Sequence, residues 1–276
     1  MAWLNTWKTA ALVAALTVGA VDSATAAVLG QSPIDITASE VVFDPDFKPL
    51  VFNYSSAASL TVKNINSPDV EGTIRGIPAA GSTLSFDGNT YDLTQFHFHI
   101  GAEHEVNGYQ APMEIHFVNQ KQESSGTGDL LVVGRFIELG PANTVLAPFF
   151  SGISFIPSPD NSFDLTSFDI SALLPVEGWE YRYSGSLTTA PYTEGVNWNV
   201  FFGTPLYLSQ TQIDEFAAVF PAGNAREVQA LDGRIITTNV PEIDPNSFGS
   251  AFAPLAGSLA LLERRKLKSF GLASVA

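Results

Sequence analysis

The chain contains four histidines, and all of them fall between positions 97 and 116: His97, His99, His104 and His116. Histidine used as general filler would be scattered along the chain; here every imidazole sits in one window. His97-Phe98-His99 is an H-x-H pair. In a β-strand alternate residues share a face, so both imidazoles point one way and Phe98 points into the opposite layer. His116 belongs to a second strand-like run, Met113 to Val118, and faces the first two if the runs pair as neighbours. Three neutral imidazoles plus one water make an open tetrahedral zinc site, the form that does chemistry rather than the closed structural form. From spacing alone His104 competes for the third ligand position, and imidazole also suits cobalt or iron. The chain has no cysteine, which removes thiolate ligands and disulfides.

These side chains need strands to carry them, and the pattern supplies strands. Leu60–Lys63 is a short alternating run. Thr90–Ile100, Met113–Val118, Leu130–Glu138, Trp179–Tyr183 and Val196–Phe202 are longer and rich in β-branched and aromatic residues. Asp87-Gly88-Asn89, Asn107-Gly108 and the glycine-rich stretch at 126–129 separate them as turns. Helical signals are few: Thr144–Phe150, and Ser209–Val219, which opens on Ser209 with Gln212 at capping-box spacing. The expectation is a mostly β (α+β) single domain.

The two ends read as addresses. Lys8, an apolar run through Ala20, and small residues at Ala24-Thr25-Ala26 predict a secretory signal peptide over 1–26, cut after Ala26 or Ala27. The folded domain is expected over 28–239. Over 240–276, Val240-Pro241-Glu242 precedes an uncharged stretch, Phe248 to Leu262, and a basic cluster from Arg264 to Lys268. That stretch is shorter than the ~20 residues a spanning helix needs. The order resembles bacterial PEP-CTERM sorting tails, which implies a transient or weak membrane association and a final location in the periplasm, at the cell surface or in the extracellular matrix. Hydrophobic residues make up 45% and charged residues 15% of the chain, the balance of a packed domain. The net charge of −15 excludes nucleic acid as a partner, because phosphate backbones are repelled.

Six segments carry a family resemblance: Gln31-Ser32-Pro33-Ile34-Asp35-Ile36; Gln95-Phe96-His97-Phe98-His99; Gly101-Ala102-Glu103-His104-Glu105-Val106; Glu114-Ile115-His116-Phe117-Val118; Ser186 through Trp198; and Asn224-x-Arg226-x-x-Gln229-x-Leu231. In this order they resemble the α-class carbonic anhydrases. The resemblance implies a central twisted, mainly antiparallel sheet with short peripheral helices, and a zinc enzyme that interconverts carbon dioxide and bicarbonate. It makes His97, His99 and His116 the zinc ligands and His104 a buried structural residue. Gln95 and Glu114 would orient His97 and His116. Thr188 would aim the zinc-bound nucleophile and pass its own proton to Glu103. Val118, Val132, Leu187, Val196 and Trp198 would wall the carbon dioxide pocket, with Thr189 beside the product. One departure stands out. Efficient members hold a histidine at the cleft mouth, where the matching position here is assigned to Ser67, and serine does not titrate near neutral pH. Proton export should then limit turnover. A non-catalytic binding or scaffold domain of the same fold is the alternative.

Overall fold

In the computed structural model, which describes residues 30–67, 70–175 and 178–240, the apolar-rich runs form strands and two short α-helices. The leader expected at 1–26 and the tail expected beyond Val240 lie outside the described residues. In chain order the first elements are β1 (Asp35–Ile36), β2 (Val41–Phe43), β3 (Val51–Asn53), β4 (Ala58–Ser67) and β5 (Val70–Pro78). Next come β6 (Thr83–Phe86), β7 (Asn89–Ile100), β8 (Glu105–Val106), β9 (Met113–Lys121) and β10 (Leu130–Leu139). Then follow α1 (Ala147–Ile153), β11 (Ser162–Phe168), β12 (Trp179–Ser186), β13 (Glu194–Leu208), α2 (Gln210–Val219) and β14 (Ile236–Thr238).

Twelve strands join one sheet along the path β11-β4-β5-β7-β9-β10-β13-β12-β14-β2, with β6 beside β7 and β3 beside β6. The pairs are antiparallel except β10–β13 and β14–β2, so the sheet is mixed but mainly antiparallel. β1 and β8 form a separate parallel pair. The turns at Asp87-Gly88 and Asn107-Gly108 place both residues at positive φ, the conformation a tight two-residue hairpin needs.

The pleat sorts side chains into two apolar layers. Phe96, Phe98, Ile115, Phe117, Leu131 and Val133 enter one layer, which α1 and α2 close with Phe149, Phe150 and Phe216. Val132, Phe136, Tyr181, Trp198 and Val200 enter the other. The first layer is aromatic-rich: Phe98 lies with its ring centroid 5.1 Å from Phe149 and 5.2 Å from Phe150. β5 runs close beneath it. A Cβ at Gly76 would meet the Phe96 ring at 2.4 Å, so this strand keeps a glycine where the ring lies over its backbone.

Several elements differ from their sequence-based extents, each for a local reason. The Leu60–Lys63 run is part of a ten-residue strand. β13 continues past Phe202 through Gly203, Thr204 and Pro205, because the buried Arg135 guanidinium binds the carbonyls of Thr204 (2.8 Å), Pro205 (3.3 Å) and Leu173 (2.7 Å) and holds the bulged stretch in the sheet. α1 starts at Ala147 rather than Thr144: the Asn143 carboxamide accepts from the backbone N–H groups of Val145 and Leu146 and spends those residues on a turn. α2 begins where expected, with Ser209 and Gln212 forming a reciprocal capping box.

Candidate metal centre

One rung of the sheet carries the site. The register aligns Lys63, Arg75, His97, His116, Gly134, Val200 and Tyr181 across seven strands. His99 lies two residues along β7 on the same face. The three imidazoles meet with ring centroids 4.9 Å (His97–His99), 5.2 Å (His97–His116) and 4.8 Å (His99–His116) apart. One ring nitrogen from each comes within 4.8 Å of the others, and all three residues are buried.

Each ring is oriented by an acceptor on its far nitrogen. His97 Nδ1–H donates to Gln95 Oε1 at 2.8 Å. His99 Nδ1–H donates to the Asn224 carbonyl at 2.8 Å; a carbonyl only accepts, so that nitrogen bears the proton. His116 Nε2 lies 3.0 Å from Glu114 Oε1. This leaves Nε2 of His97, Nε2 of His99 and Nδ1 of His116 with their lone pairs directed toward one another. His99 Nε2 and His116 Nδ1 are buried and have no hydrogen-bond partner among the described residues, and His116 Nε2, though 3.0 Å from Glu114 Oε1, makes no well-aligned hydrogen bond. Buried polar atoms are seldom left so. Burial lowers the basicity of all three rings, and neighbouring imidazoles lower it further: His99 is pushed down to about 3, and His97 falls well below its usual value. The rings therefore stay neutral at physiological pH, the state in which imidazole binds a metal. Three neutral nitrogens converging on one point suit a divalent cation with an open position.

His104 is not part of that set. Its Nδ1 lies 2.9 Å from Glu114 Oε1 and its Nε2 2.7 Å from the Tyr183 hydroxyl. Both ring nitrogens are thus occupied, and the grouping of His104, Glu114 and His116 is a hydrogen-bond network. Glu114 is fully buried. Burial pulls its pKa up, but the His104 and His116 imidazoles and their hydrogen bonds hold it well below the usual carboxylate range. Gly134 makes room for it: a Cβ there would meet Glu114 Oε1 at 2.6 Å.

Thr188 and Glu103 are both buried near the ligands. Thr188 is 4% exposed in the cavity wall, and Glu103, 1% exposed, does not reach the cavity. Glu103 Oε1 accepts from the Arg226 backbone N–H at 2.9 Å and lies 3.3 Å from His99 Nδ1; its Oε2 lies 3.7 Å from His116 Nδ1. Segments far apart in sequence hold these two in place. Arg226 Nη1 donates to the Ser32 carbonyl (2.6 Å), and the Ser32 backbone N–H donates to Ser186 Oγ (2.9 Å), two residues before Thr188. Ser186 also accepts from Trp198 Nε1 through its carbonyl (2.9 Å).

A cavity of about 400 Å³ opens over the imidazoles. His97 and His116 reach it, and Val118, Val132, Leu187 and Trp198 form its apolar wall beside Thr188 and Thr189. Val196, expected in that wall, does not line the cavity; it is fully buried in the layer with Val132 and Trp198. Arg75, Ile77 and Thr94 line the opposite side, and none of the three was legible as a site residue in the sequence. Asn224 was legible only as part of a motif. Its side chain bonds Ile100 N, Gly72 O and Phe98 O, which fixes the carbonyl that holds His99. The backbone puts Ser67 at the end of the β4–β5 hairpin, four residues beyond the Lys63–Arg75 rung, and its side chain lies outside the described residues.

Similarity to known proteins agrees with this geometry. The family model of eukaryotic-type carbonic anhydrases matches residues 21–240. A carbonic anhydrase of Pectobacterium atrosepticum is 35% identical over 207 residues, 75% of this chain and 78% of that protein. One from Nostoc sp. is 35% identical over 208 residues, 75% of this chain and 74% of that protein. The solved structure of an α-carbonic anhydrase from Thermovibrio ammonificans with the inhibitor sulfanilamide aligns with a TM-score of 0.65 at 34% identity, covering 75% of this chain and 86% of that one. The chain belongs to the eukaryotic-type, or α, carbonic anhydrase family and is an enzyme of that class.

The tight fit at Gly134 yields a test. Gly134→Ala drives a methyl group against a carboxylate that cannot retreat, so Glu114 and His116 shift together. Metal affinity, read by competition with a chelator, should fall roughly 10- to 100-fold, the usual cost of disturbing a ligand's supporting partner. Unchanged affinity would show that Glu114 does not position His116.

Proposed function

We propose that this enzyme reversibly hydrates carbon dioxide to bicarbonate and a proton, with zinc held by His97 Nε2, His99 Nε2 and His116 Nδ1. The observation that carries the reading is the convergence of three neutral, outwardly supported imidazoles, two of whose inward nitrogens are buried without a partner. The family match and relatives named carbonic anhydrase support it. When bound, zinc lowers the pKa of a water in its open position to about 7, so a strong nucleophile exists at neutral pH.

The chain's own residues do the rest. Gln95, Glu114 and the Asn224 carbonyl fix each ring's tautomer and aim. The Thr188 hydroxyl donates to the buried Glu103 carboxylate, so its oxygen is left as an acceptor and selects partners that can donate. Val118, Val132, Leu187 and Trp198 offer carbon dioxide an apolar resting place, which a linear molecule with no net dipole prefers to water. Val196 supports that wall from behind. Thr189, at the polar end, receives the bicarbonate.

Each turnover must also send one proton to solvent, and no imidazole is placed to carry it. All four histidines are buried, and His104 is fixed between Glu114 and Tyr183. Whatever Ser67 does at the hairpin end, a hydroxyl does not titrate in the range required. Residues 1–26 and 240–276 support a working place outside the cytoplasm, with the tail giving transient membrane contact.

Three outcomes follow. Purified protein should contain one zinc per chain and hydrate carbon dioxide in stopped flow; His99→Ala and chelation should each abolish both metal and turnover. Hydration by metal-free protein would sink the assignment. The kcat should climb with the concentration of an imidazole-type buffer while kcat/KM stays flat, since hydration precedes proton export; a kcat indifferent to buffer would mean that another group carries the proton. Intact-mass measurement of protein recovered from expressing cells should show removal of the first 26 or 27 residues, and an uncut N-terminus would refute export through a cleaved leader.

A further inference from the structure

Arg75 is the one charged side chain among the described residues that line the cavity, and the zinc chemistry just proposed makes no use of it. It lies next to His97 across the β5–β7 pair. It is half-buried, and its Nε donates to Thr73 Oγ1 at 3.2 Å. No carboxylate lies within ion-pair distance of its guanidinium among the described residues. Its other cross-strand neighbour is Lys63, and like charges directly opposite one another in a sheet are destabilising. Lys63 is relieved by Asp160, 2.9 Å from its Nζ, whereas no described carboxylate relieves Arg75. A partly desolvated cation facing a cavity, beside another cation and with no counter-ion among the described residues, departs from the usual pairing of charges withdrawn from water.

A guanidinium with free N–H groups matches a planar oxyanion, which it can grip through two parallel bonds. The reaction proposed for this cavity has one such species, bicarbonate. The protein around it carries a net charge of −15, a field that repels anions at a distance. We propose that Arg75 is an anion-binding residue of the cavity, which captures bicarbonate and other small monovalent anions on the His97 side of the cleft. Carbon dioxide is uncharged and gains nothing from it. The proposal rests on the reading of the cavity as a zinc-dependent hydration site.

The test uses the zinc-loaded full chain as wild type, Arg75→Gln and Arg75→Lys. Binding of thiocyanate and of bicarbonate is measured by calorimetry, with zinc content and melting temperature recorded for each protein. Arg75→Gln should weaken both anions roughly three- to tenfold at low ionic strength, the scale of one charge-assisted contact. Arg75→Lys keeps the charge but not the two-bond grip, so it should fall between wild type and Arg75→Gln, and both losses should shrink as salt rises. Equal affinities in wild type and Arg75→Gln, at full zinc content, overturn the proposal. So does an equal loss in both variants accompanied by a lowered melting temperature, which would mark a packing role. A wild-type protein that holds no zinc overturns the hydration reading itself and is told apart by the metal analysis alone.

Discussion

The site depends on one buried carboxylate. Glu114 Oε2 accepts from the backbone N–H groups of Glu103 and His104, each at 2.9 Å, while Oε1 takes His104 Nδ1 at 2.9 Å and lies 3.0 Å from His116 Nε2. An ionised group this deep is costly unless its lone pairs are used, and here all of them have a donor in reach. The arrangement does three things at once. It keeps the proton of His116 on Nε2, so that Nδ1 turns toward the other imidazoles. It ties the loop after β7 to β9 and thereby delivers Glu103 beside His99. It also locks His104, whose far nitrogen meets Tyr183, which in turn lies 2.9 Å from Ser32 Oγ. Ser32 then reaches the strand end that carries Thr188 through Ser186. A single acid thus couples a metal ligand, Glu103, the segment that carries Thr188 and the N-terminal segment.

Such a network tolerates little movement, and the surrounding layers provide rigidity. Opposite the imidazoles, Phe96, Phe98 and Phe117 are fully buried and stack into the aromatic layer under α1 and α2. Because side chains alternate, each ligand strand is anchored by the residues between its functional ones. Phe98 holds the strand that carries His97 and His99; Ile115 and Phe117 do the same for His116. On the near face Trp198 packs 4.8 Å from His116 and 4.7 Å from His104, with its indole N–H satisfied by Ser186. Geometry of this quality is worth most where the ligands must present lone pairs at one point without metal-induced rearrangement.

How much of this could be read from the sequence follows from the range of each interaction. The shared face of His97 and His99, the opposite placement of Phe98 and the same-face relation of Glu114 to His116 are period-two consequences of a strand and were legible directly. Which strands become neighbours was not, because pairing is non-local. Hence Arg75 and Ile77 stayed invisible: in β5 Gly72, Gly76 and Pro78 break up the β-branched residues, a weakened strand signal overridden by pairing on both sides and by Phe96 lying across Gly76. Gly134 carries no signal of its own within the Leu130–Glu138 run, and only the Glu114 carboxylate against it gives it a reason. Asn224 serves His99 from 125 residues away through a backbone carbonyl, a contact that no side-chain pattern encodes. Val196 shows the converse case: a residue of the right type in the right strand, fully buried in the same layer as Val132 and Trp198 but not part of the cavity lining.

The electrostatic layout of the cavity runs against that of the whole chain. The net charge is strongly negative, yet no acid lines the pocket among the described residues, and the acids nearest the imidazoles, Glu103 and Glu114, are buried and each accepts from backbone N–H groups. Buried acids that are held by backbone N–H groups contribute orientation while exposing little charge to the cavity. The ligands are neutral as well, so the local field is set by whatever cation they hold and by Arg75. A neutral substrate enters such a pocket by apolar contact alone, whereas an anion meets repulsion at the surface and attraction within. Separating the two regimes by only the depth of one cleft follows from placing the acids outside and behind the wall, and the guanidinium inside it.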